Sequence, residues 1–175
     1  MAYTLLVGGA RSGKSTLAVR MAAAYQGPVV FVATAEAHDD EMTARINEHR
    51  TTRPSTWATV EAPTDLARTI AGASDDAFVV LDCLTLWVSN ELGAGAPARE
   101  VLAQADDVAG LLSERSSPSV VVSNEVGLGI VPVNELARTY RDLLGRVNTA
   151  FAARAARTLF VVAGLGLPLE AVTTS

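Results

Sequence analysis

The sequence predicts an α/β domain with a mostly parallel central sheet and helices on both of its faces. Three observations predict it. Continuous apolar runs such as Val29-Val30-Phe31-Val32-Ala33 and Ser119-Val120-Val121-Val122-Ser123 lack any polar alternation, the pattern of strands buried on both sides. Helical stretches separate these runs, so strand and helix alternate along the chain without an internal repeat. Hydrophobic residues make up 49% of the chain but aromatics only 5%, so the core must be built mainly from Ala, Val and Leu.

The first strand is Tyr3-Thr4-Leu5-Leu6-Val7. It runs straight into Gly8-Gly9-Ala10-Arg11-Ser12-Gly13-Lys14-Ser15, and a helix over residues 16–24 follows. Strand, glycine-rich loop and helix form the context in which Gly-x4-Gly-Lys-Ser is a phosphate-binding loop. Gly8 and Gly13 let the backbone turn tightly and bring its N–H groups to phosphate oxygens. The following helix presents its positive end to the same anion. Lys14 reaches the β- and γ-phosphates as a catalytic cation, and the Ser15 hydroxyl is a candidate Mg²⁺ ligand. The chain therefore reads as a nucleotide binder with a P-loop NTPase fold.

Gly27-Pro28 marks the next turn, and the 29–33 strand leads to Thr34-Ala35 at its C-terminal edge. Asp39-Asp40-Glu41 suits the first turn of a helix that carries Met42, Arg45, Ile46 and His49 on one face. Pro54 ends it; a short strand over 57–61 and a helix opening at 63–67 come next. Residues 77–82 form an apolar strand ending in Asp82, and residues 84–92 a helix. The Gly/Ala/Pro segment 93–97 reads as the most flexible loop. A helix over 98–114, the 119–123 strand, a Gly-punctuated loop over 124–132, a long helix over 134–157 and a strand over 158–163 complete the series. Residues 164–175 read as a loose tail with room for one short added strand.

At 175 residues the chain is long enough for one sizeable core, so a single domain over 1–175 is expected. A formal charge of −5 without any Lys/Arg cluster argues against nucleic acid as a partner. The lone Cys83 excludes an internal disulfide and fits a reducing compartment. No apolar run approaches the ~20 residues a membrane span needs, and no targeting segment precedes the first strand. A soluble, cytoplasmic protein is expected.

Asp82 is the natural partner of the phosphate loop, because an apolar strand ending in Asp brings a carboxylate beside Mg²⁺. His49 lies one turn after Arg45; it either faces a phosphate or is an exposed helix-end histidine favoured by the dipole. His38 reads as a solvated loop residue. Glu61 ends a short strand and Glu125 sits in the loop after the 119–123 strand, both at the ligand edge, where a carboxylate can hold a ribose, accept a proton or cap a turn.

Several stretches together resemble one family: the 8–15 loop, Ala33-Thr34-Ala35, Asp39-Asp40-Glu41-Met42-x-x-Arg45-Ile46-x-x-His49-Arg50 and Arg53-Pro54-x-x-Trp57. Glu61, Asp82-Cys83-Leu84-Thr85, residues 123–132 and Arg138-x-x-Arg141-Asp142-x-x-Gly145-Arg146-Val147-Asn148 complete the set. The chain is similar over nearly its whole length to the bifunctional adenosylcobinamide kinase/adenosylcobinamide-phosphate guanylyltransferases of cobalamin biosynthesis. That resemblance implies phosphorylation of the aminopropanol hydroxyl of adenosylcobinamide by GTP or ATP. Transfer of GMP from GTP then gives adenosylcobinamide-GDP, assembling the nucleotide loop.

The resemblance also implies a guanylylated His49, with nucleotide contacts at residues 8–15, Ala33, Thr34, Ala35, Arg50, Thr51, Thr52, Glu61 and Asp82. Mg²⁺ would be held by Ser15 and Asp82, and the Asn124-Glu125 loop would face the corrinoid. A homo-oligomer, a trimer by family likeness, is expected. Glu48 precedes His49 where some relatives carry paired histidines, so His49 alone is available. Two rivals are a P-loop small-molecule kinase without nucleotidyl transfer and a regulatory nucleotide switch.

Overall fold

The structure, a computed structural model, describes residues 3–37, 43–44, 46, 50–51 and 53–171. In chain order its elements are β1 (Thr4–Gly8), α1 (Lys14–Ala23), β2 (Val29–Ala33), β3 (Ala58–Glu61), α2 (Leu66–Ala71) and β4 (Phe78–Asp82). There follow α3 (Leu84–Gly93), α4 (Ala98–Glu114), β5 (Ser119–Asn124), α5 (Glu135–Arg154), β6 (Arg157–Val162) and β7 (Leu165–Leu169). The strands form one sheet in the order β3-β2-β4-β5-β1-β6-β7, parallel throughout except for the antiparallel β6–β7 pair.

Successive residues of a strand face opposite sides, and here both sides are dry. Leu5, Val32, Leu81 and Val121 pack on one side against Leu66 and Ile70 of α2, Trp87 of α3, Leu112 of α4 and Phe151 of α5. Leu6, Phe31, Val80 and Val122 face Ala18 and Ala22 of α1 on the other. This explains why the central strands read as unbroken apolar runs: a polar residue at either parity would be buried without water. Helices cover both faces, as the sequence predicts.

The parallel register brings the strand C-termini to one edge. Gly8 pairs with Asn124, and Ala33 pairs with both Glu61 and Asp82. Helix caps set the flanking elements: the Asp65 carboxylate accepts from Arg68 N–H, and the Asn134 side chain accepts from Ala137 N–H.

Three differences from the sequence-based expectation have physical causes. α1 starts at Lys14 rather than at residue 16, because left-handed Gly13 (φ 101°) launches the helix inside the motif. Segment 93–97 is a hydrogen-bonded helix end rather than the freest loop. Ala94, Gly95 and Ala96 N–H donate to Asn90, Leu92 and Glu91 carbonyls, and Ala96 packs on the core.

The tail contributes β7, joined to β6 by a turn with Ala163 at φ 52° and Gly164 at φ 78°. Positive φ at both central residues matches strand twist, but Ala is a poor marker for it, so the hairpin is faint in the sequence. The expected helix around Arg45 and His49 falls largely outside the described residues. No helix among the described residues is long and apolar enough to cross a membrane.

Candidate nucleotide site

The phosphate loop is held in shape by contacts from three directions. A Cβ on Gly8 would collide with the Val161 carbonyl, and one on Gly13 would stand 3.2 Å from Gly164 Cα. Gly9, by contrast, has nothing within 4 Å of a Cβ position. Of these three loop glycines, Gly8 and Gly13 are the two demanded by close approach. The Gly8 carbonyl accepts from Glu125 N–H at 3.0 Å, and the Ser12 carbonyl accepts from Gly164 N–H at 2.8 Å.

Lys14 is buried inside this loop. Its ammonium donates to Gly8 O at 2.9 Å, Gly9 O at 2.6 Å and Ser12 Oγ at 3.3 Å, using all three of its donors. Burial pulls the Lys14 pKa below the ordinary lysine value, while Cys83 and Asp82 push it back up. α1 has no side-chain cap and no acidic residue in its first turn, so its leading N–H groups keep their positive field for an anion. Ala10 and Arg11 are exposed at the loop tip, Arg11 with φ 55°, and Ser15 is half-buried in the first turn of α1.

Asp82 is half-buried at the end of β4, within electrostatic reach of Lys14. The corner after it is clamped by Thr34. The Thr34 hydroxyl donates to Cys83 O and accepts from Cys83 N–H, both at 2.7 Å. Asn90 Nδ2 adds bonds to Thr34 O at 2.8 Å and Pro63 O at 3.0 Å. The Asp82–Cys83 peptide is cis. Ala33 and Ala35 flank Thr34 as half-buried backbone at the strand edge.

Beyond them opens a cavity of about 440 Å³ lined by Ala35, Glu36, Ile46, Arg50, Glu61 and Pro63. Arg50 and Glu61 pair across it at 2.8 Å, more than half exposed on each side. Such a pair adds little stability, so its carboxylate and guanidinium remain available to a polar ligand. Thr51 is exposed nearby. His49, Thr52, Arg45 and His38 lie outside the described residues.

Glu125 resolves one alternative left open by the sequence: its Oε1 accepts from Gly127 N–H, capping its own loop. Behind that loop is a buried network. Ser123 Oγ donates to Asn148 Oδ1 at 2.6 Å, Asn148 Nδ2 donates to Asn124 O at 3.0 Å, and Asn124 N–H donates to Thr85 Oγ1 at 2.9 Å.

Sequence reasoning gave no role to Arg53. Its guanidinium carbon lies 3.5 Å from the Phe31 ring centroid, and its charge is coupled to Asp82. The only local signal was its place in the Arg53-Pro54-x-x-Trp57 string.

The family model described as cobinamide kinase / cobinamide phosphate guanyltransferase matches residues 4–169. The chain belongs to this family. A bifunctional adenosylcobalamin biosynthesis protein CobP from Pseudomonas aeruginosa is 45% identical over 95% of this chain and 96% of that one. The CobU protein of the same description from Salmonella typhimurium is 42% identical over 95% and 98%. The Escherichia coli counterpart is 38% identical over the same shares.

Solved structures show the fold more distantly. A prototypical ATPase from a bacterial type III secretion system superposes with TM-score 0.58 at 12% identity, over 95% of this chain and 56% of that one. The RadB recombinase gives TM-score 0.51 at 18% identity, over 91% and 73%. These neighbours and the mostly parallel sheet make this a P-loop NTPase fold, and its cobinamide kinase/guanyltransferase relatives align nearly end to end.

Proposed function

We propose that this chain is a bifunctional enzyme of cobalamin nucleotide-loop assembly. It phosphorylates the aminopropanol hydroxyl of adenosylcobinamide with GTP or ATP, then moves GMP from GTP onto that phosphate. The observation that carries the reading is the Lys14 ammonium folded into the 8–15 loop beside Asp82, in a chain of the cobinamide kinase/guanyltransferase family.

In the first reaction the 8–15 loop cradles the triphosphate with its backbone N–H groups. Lys14 exchanges its carbonyl partners for β- and γ-phosphate oxygens, where charge moves as the γ-phosphoryl group leaves. The substrate hydroxyl attacks the γ-phosphorus, the bond to the β–γ bridging oxygen breaks, and the nucleoside diphosphate departs.

Among the described residues no cluster of three His, Cys, Asp or Glu could hold a metal. The Ser15 hydroxyl and Asp82 carboxylate nevertheless fit Mg²⁺, a hard ion that takes one or two protein oxygens and completes its shell from phosphates and water. Bound there, it would neutralise charge on the phosphate oxygens.

In the second reaction a neutral His49 nitrogen attacks the α-phosphorus of GTP. The α–β bridging bond breaks and pyrophosphate leaves. An oxygen of adenosylcobinamide phosphate then attacks the same phosphorus, releasing the histidine and giving adenosylcobinamide-GDP. Neighbouring Arg45 and Arg50 would keep His49 unprotonated and counter charge on the α-phosphate. Ala33, Thr34, Ala35, Arg50, Thr51, Thr52 and Glu61 would form the nucleoside end of the site, around the cavity at Glu61, with the buried Thr34 acting through the corner it clamps.

The chain would act in the cytoplasm as one domain, without nucleic acid, and as a homo-oligomer, in line with the trimer expected from family likeness. Val162, Leu165, Leu167 and Leu169 leave an apolar stripe on the β6–β7 edge that a second copy would cover. The deciding experiment incubates the protein with α-labelled GTP. Label that survives denaturation, resists base, is lost in acid and disappears in His49→Ala supports the histidine route. Label persisting in His49→Ala refutes it. A regulatory switch would hydrolyse GTP with no dependence on cobinamide.

A further inference from the structure

Asn124 closes β5 at the ligand edge, between the phosphate-loop strand and the strand that carries Asp82. It stands in register with Gly8 of β1, while Asp82 of β4 is in register with Val122, two residues behind it. Val120 and Val122 pack on the α1 side of the sheet and Val121 on the other, where Ser123 meets Asn148 of α5. Strand alternation therefore turns the Asn124 side chain to the α1 side. Counting on from Phe78 and Val80, the same alternation turns Asp82 that way.

The backbone of Asn124 is fixed from both directions. Its N–H donates to Thr85 Oγ1 at 2.9 Å, just past the Asp82–Cys83 corner, and its carbonyl accepts from Asn148 Nδ2 at 3.0 Å. The next residue ties to the phosphate loop: Glu125 N–H donates to Gly8 O, which also accepts from the Lys14 ammonium. Capping of this loop falls to Glu125, through Gly127 N–H. The Asn124 amide is left over. Half-buried, it has no hydrogen-bond partner among the described residues. A locked backbone that presents a free polar group beside a phosphate loop can stabilise developing charge without reorganising.

We propose that Asn124 is a catalytic residue of the phosphoryl-transfer step, its Nδ2–H donating to a non-bridging oxygen of the γ-phosphoryl group in flight. This inference rests on the nucleotide-site reading above. In that step the acceptor hydroxyl oxygen bonds to the γ-phosphorus and its proton passes to water. The β–γ bridging bond breaks, and its electron pair stays on the departing nucleoside diphosphate. Lys14 holds the phosphates with a charge from the loop side. Asn124 adds a neutral donor from the β5 side, whose bond strengthens as the γ-phosphoryl group moves toward the acceptor.

The test compares steady-state phosphorylation of adenosylcobinamide and equilibrium binding of GDP by the wild-type protein, Asn124→Ala, Asn124→Asp and Lys14→Ala. Asn124→Ala is expected to lower kcat about 100-fold, the usual loss for one transition-state donor, with KM for adenosylcobinamide unchanged. GDP, which lacks the γ-phosphoryl group, should bind Asn124→Ala as it binds the wild type. Asn124→Asp keeps the shape but exchanges the donor for a negative charge beside the phosphates, and should be slower still.

Wild-type kcat in Asn124→Ala, with Lys14→Ala inactive, overturns the Asn124 role and leaves the nucleotide site standing. A raised KM for adenosylcobinamide at unchanged kcat also overturns it, because that is a contact to the corrinoid and not to the phosphoryl group. GDP binding weakened in step with kcat overturns it too, as the mark of a displaced loop. Full turnover in Lys14→Ala, or none in the wild type, overturns both readings. If Asn124→Ala does not fold, Asn124→Asp decides: lost turnover with wild-type GDP binding supports the assignment, and wild-type turnover refutes it.

Discussion

The backbone N–H of Gly164 donates to the Ser12 carbonyl at 2.8 Å, tying the β6–β7 turn to the centre of the phosphate loop. Gly164 holds φ 78°, and its Cα is the nearest atom to a Cβ placed on Gly13. Gly164→Pro removes the donor and forbids that φ. It should lower the melting temperature and weaken GTP binding at least tenfold, because the loss of one loop hydrogen bond is joined by backbone strain. Thermal unfolding with and without GTP checks both.

The loop glycines should separate cleanly. Gly8→Ala drives a methyl into the Val161 carbonyl and is expected to destabilise the fold by about 2 kcal/mol or more. Gly9→Ala meets nothing and should stay within about 0.5 kcal/mol of wild type. Urea unfolding of the two variants measures the contrast.

The pH dependence of phosphoryl transfer follows from Lys14. Burial disfavours its charged form, so its pKa lies below 10.5. For a base whose folded pKa is depressed, charge is present below that folded value and is lost as pH rises through it. Activity should therefore fall on the alkaline side as Lys14 loses its charge, and the nucleotide-free fold should be relieved of a charge-burial cost as the pH rises through the lowered value. A pH–rate profile of cobinamide phosphorylation, with Lys14→Ala showing no turnover at any pH, tests the assignment.

Thr34→Val deletes the hydroxyl that both donates to Cys83 O and accepts from Cys83 N–H. Two polar groups lose their partner at a buried corner, which costs about 1–3 kcal/mol each before relaxation. The variant should be destabilised and, because Asp82 adjoins that corner, should transfer phosphate more slowly. Thr34→Ser should restore both. Denaturant midpoints paired with kinase rates distinguish the outcomes.

Asn148→Ala should leave the buried Ser123 hydroxyl and the half-buried Asn124 carbonyl without this partner, destabilising by about 2 kcal/mol. Asn148→Asp, which can still accept from Ser123 but cannot donate to Asn124, should fall between. Calorimetric unfolding provides the comparison.

Much of this was legible in the residues. The unbroken run 29–33 is β2 residue for residue, and the 98–114 helix is α4 from end to end. The tight turn at Gly13 was legible because glycine spacing before a helix is a local signal, whereas the crowding of Gly8 by Val161 and of Gly13 by Gly164 was not. The β7 strand was harder to read, since its turn uses Ala163 in a conformation alanine disfavours. Arg53 was missed because its partner Phe31 is distant in sequence, and no periodicity links a turn arginine to a strand phenylalanine.

By itself the sequence determined the succession of strands and helices, the phosphate loop and the family, all of which rest on short-range spacing. Only the tertiary structure decided what braces that loop: Gly164 on Ser12, Glu125 on Gly8, and Asn148 behind Asn124. It also decided that Thr34 clamps Cys83 and that Glu125 caps its own turn. The reason is physical. Local patterns record which side of an element is buried, whereas hydrogen-bond partners are chosen by the packing of elements far apart in the chain.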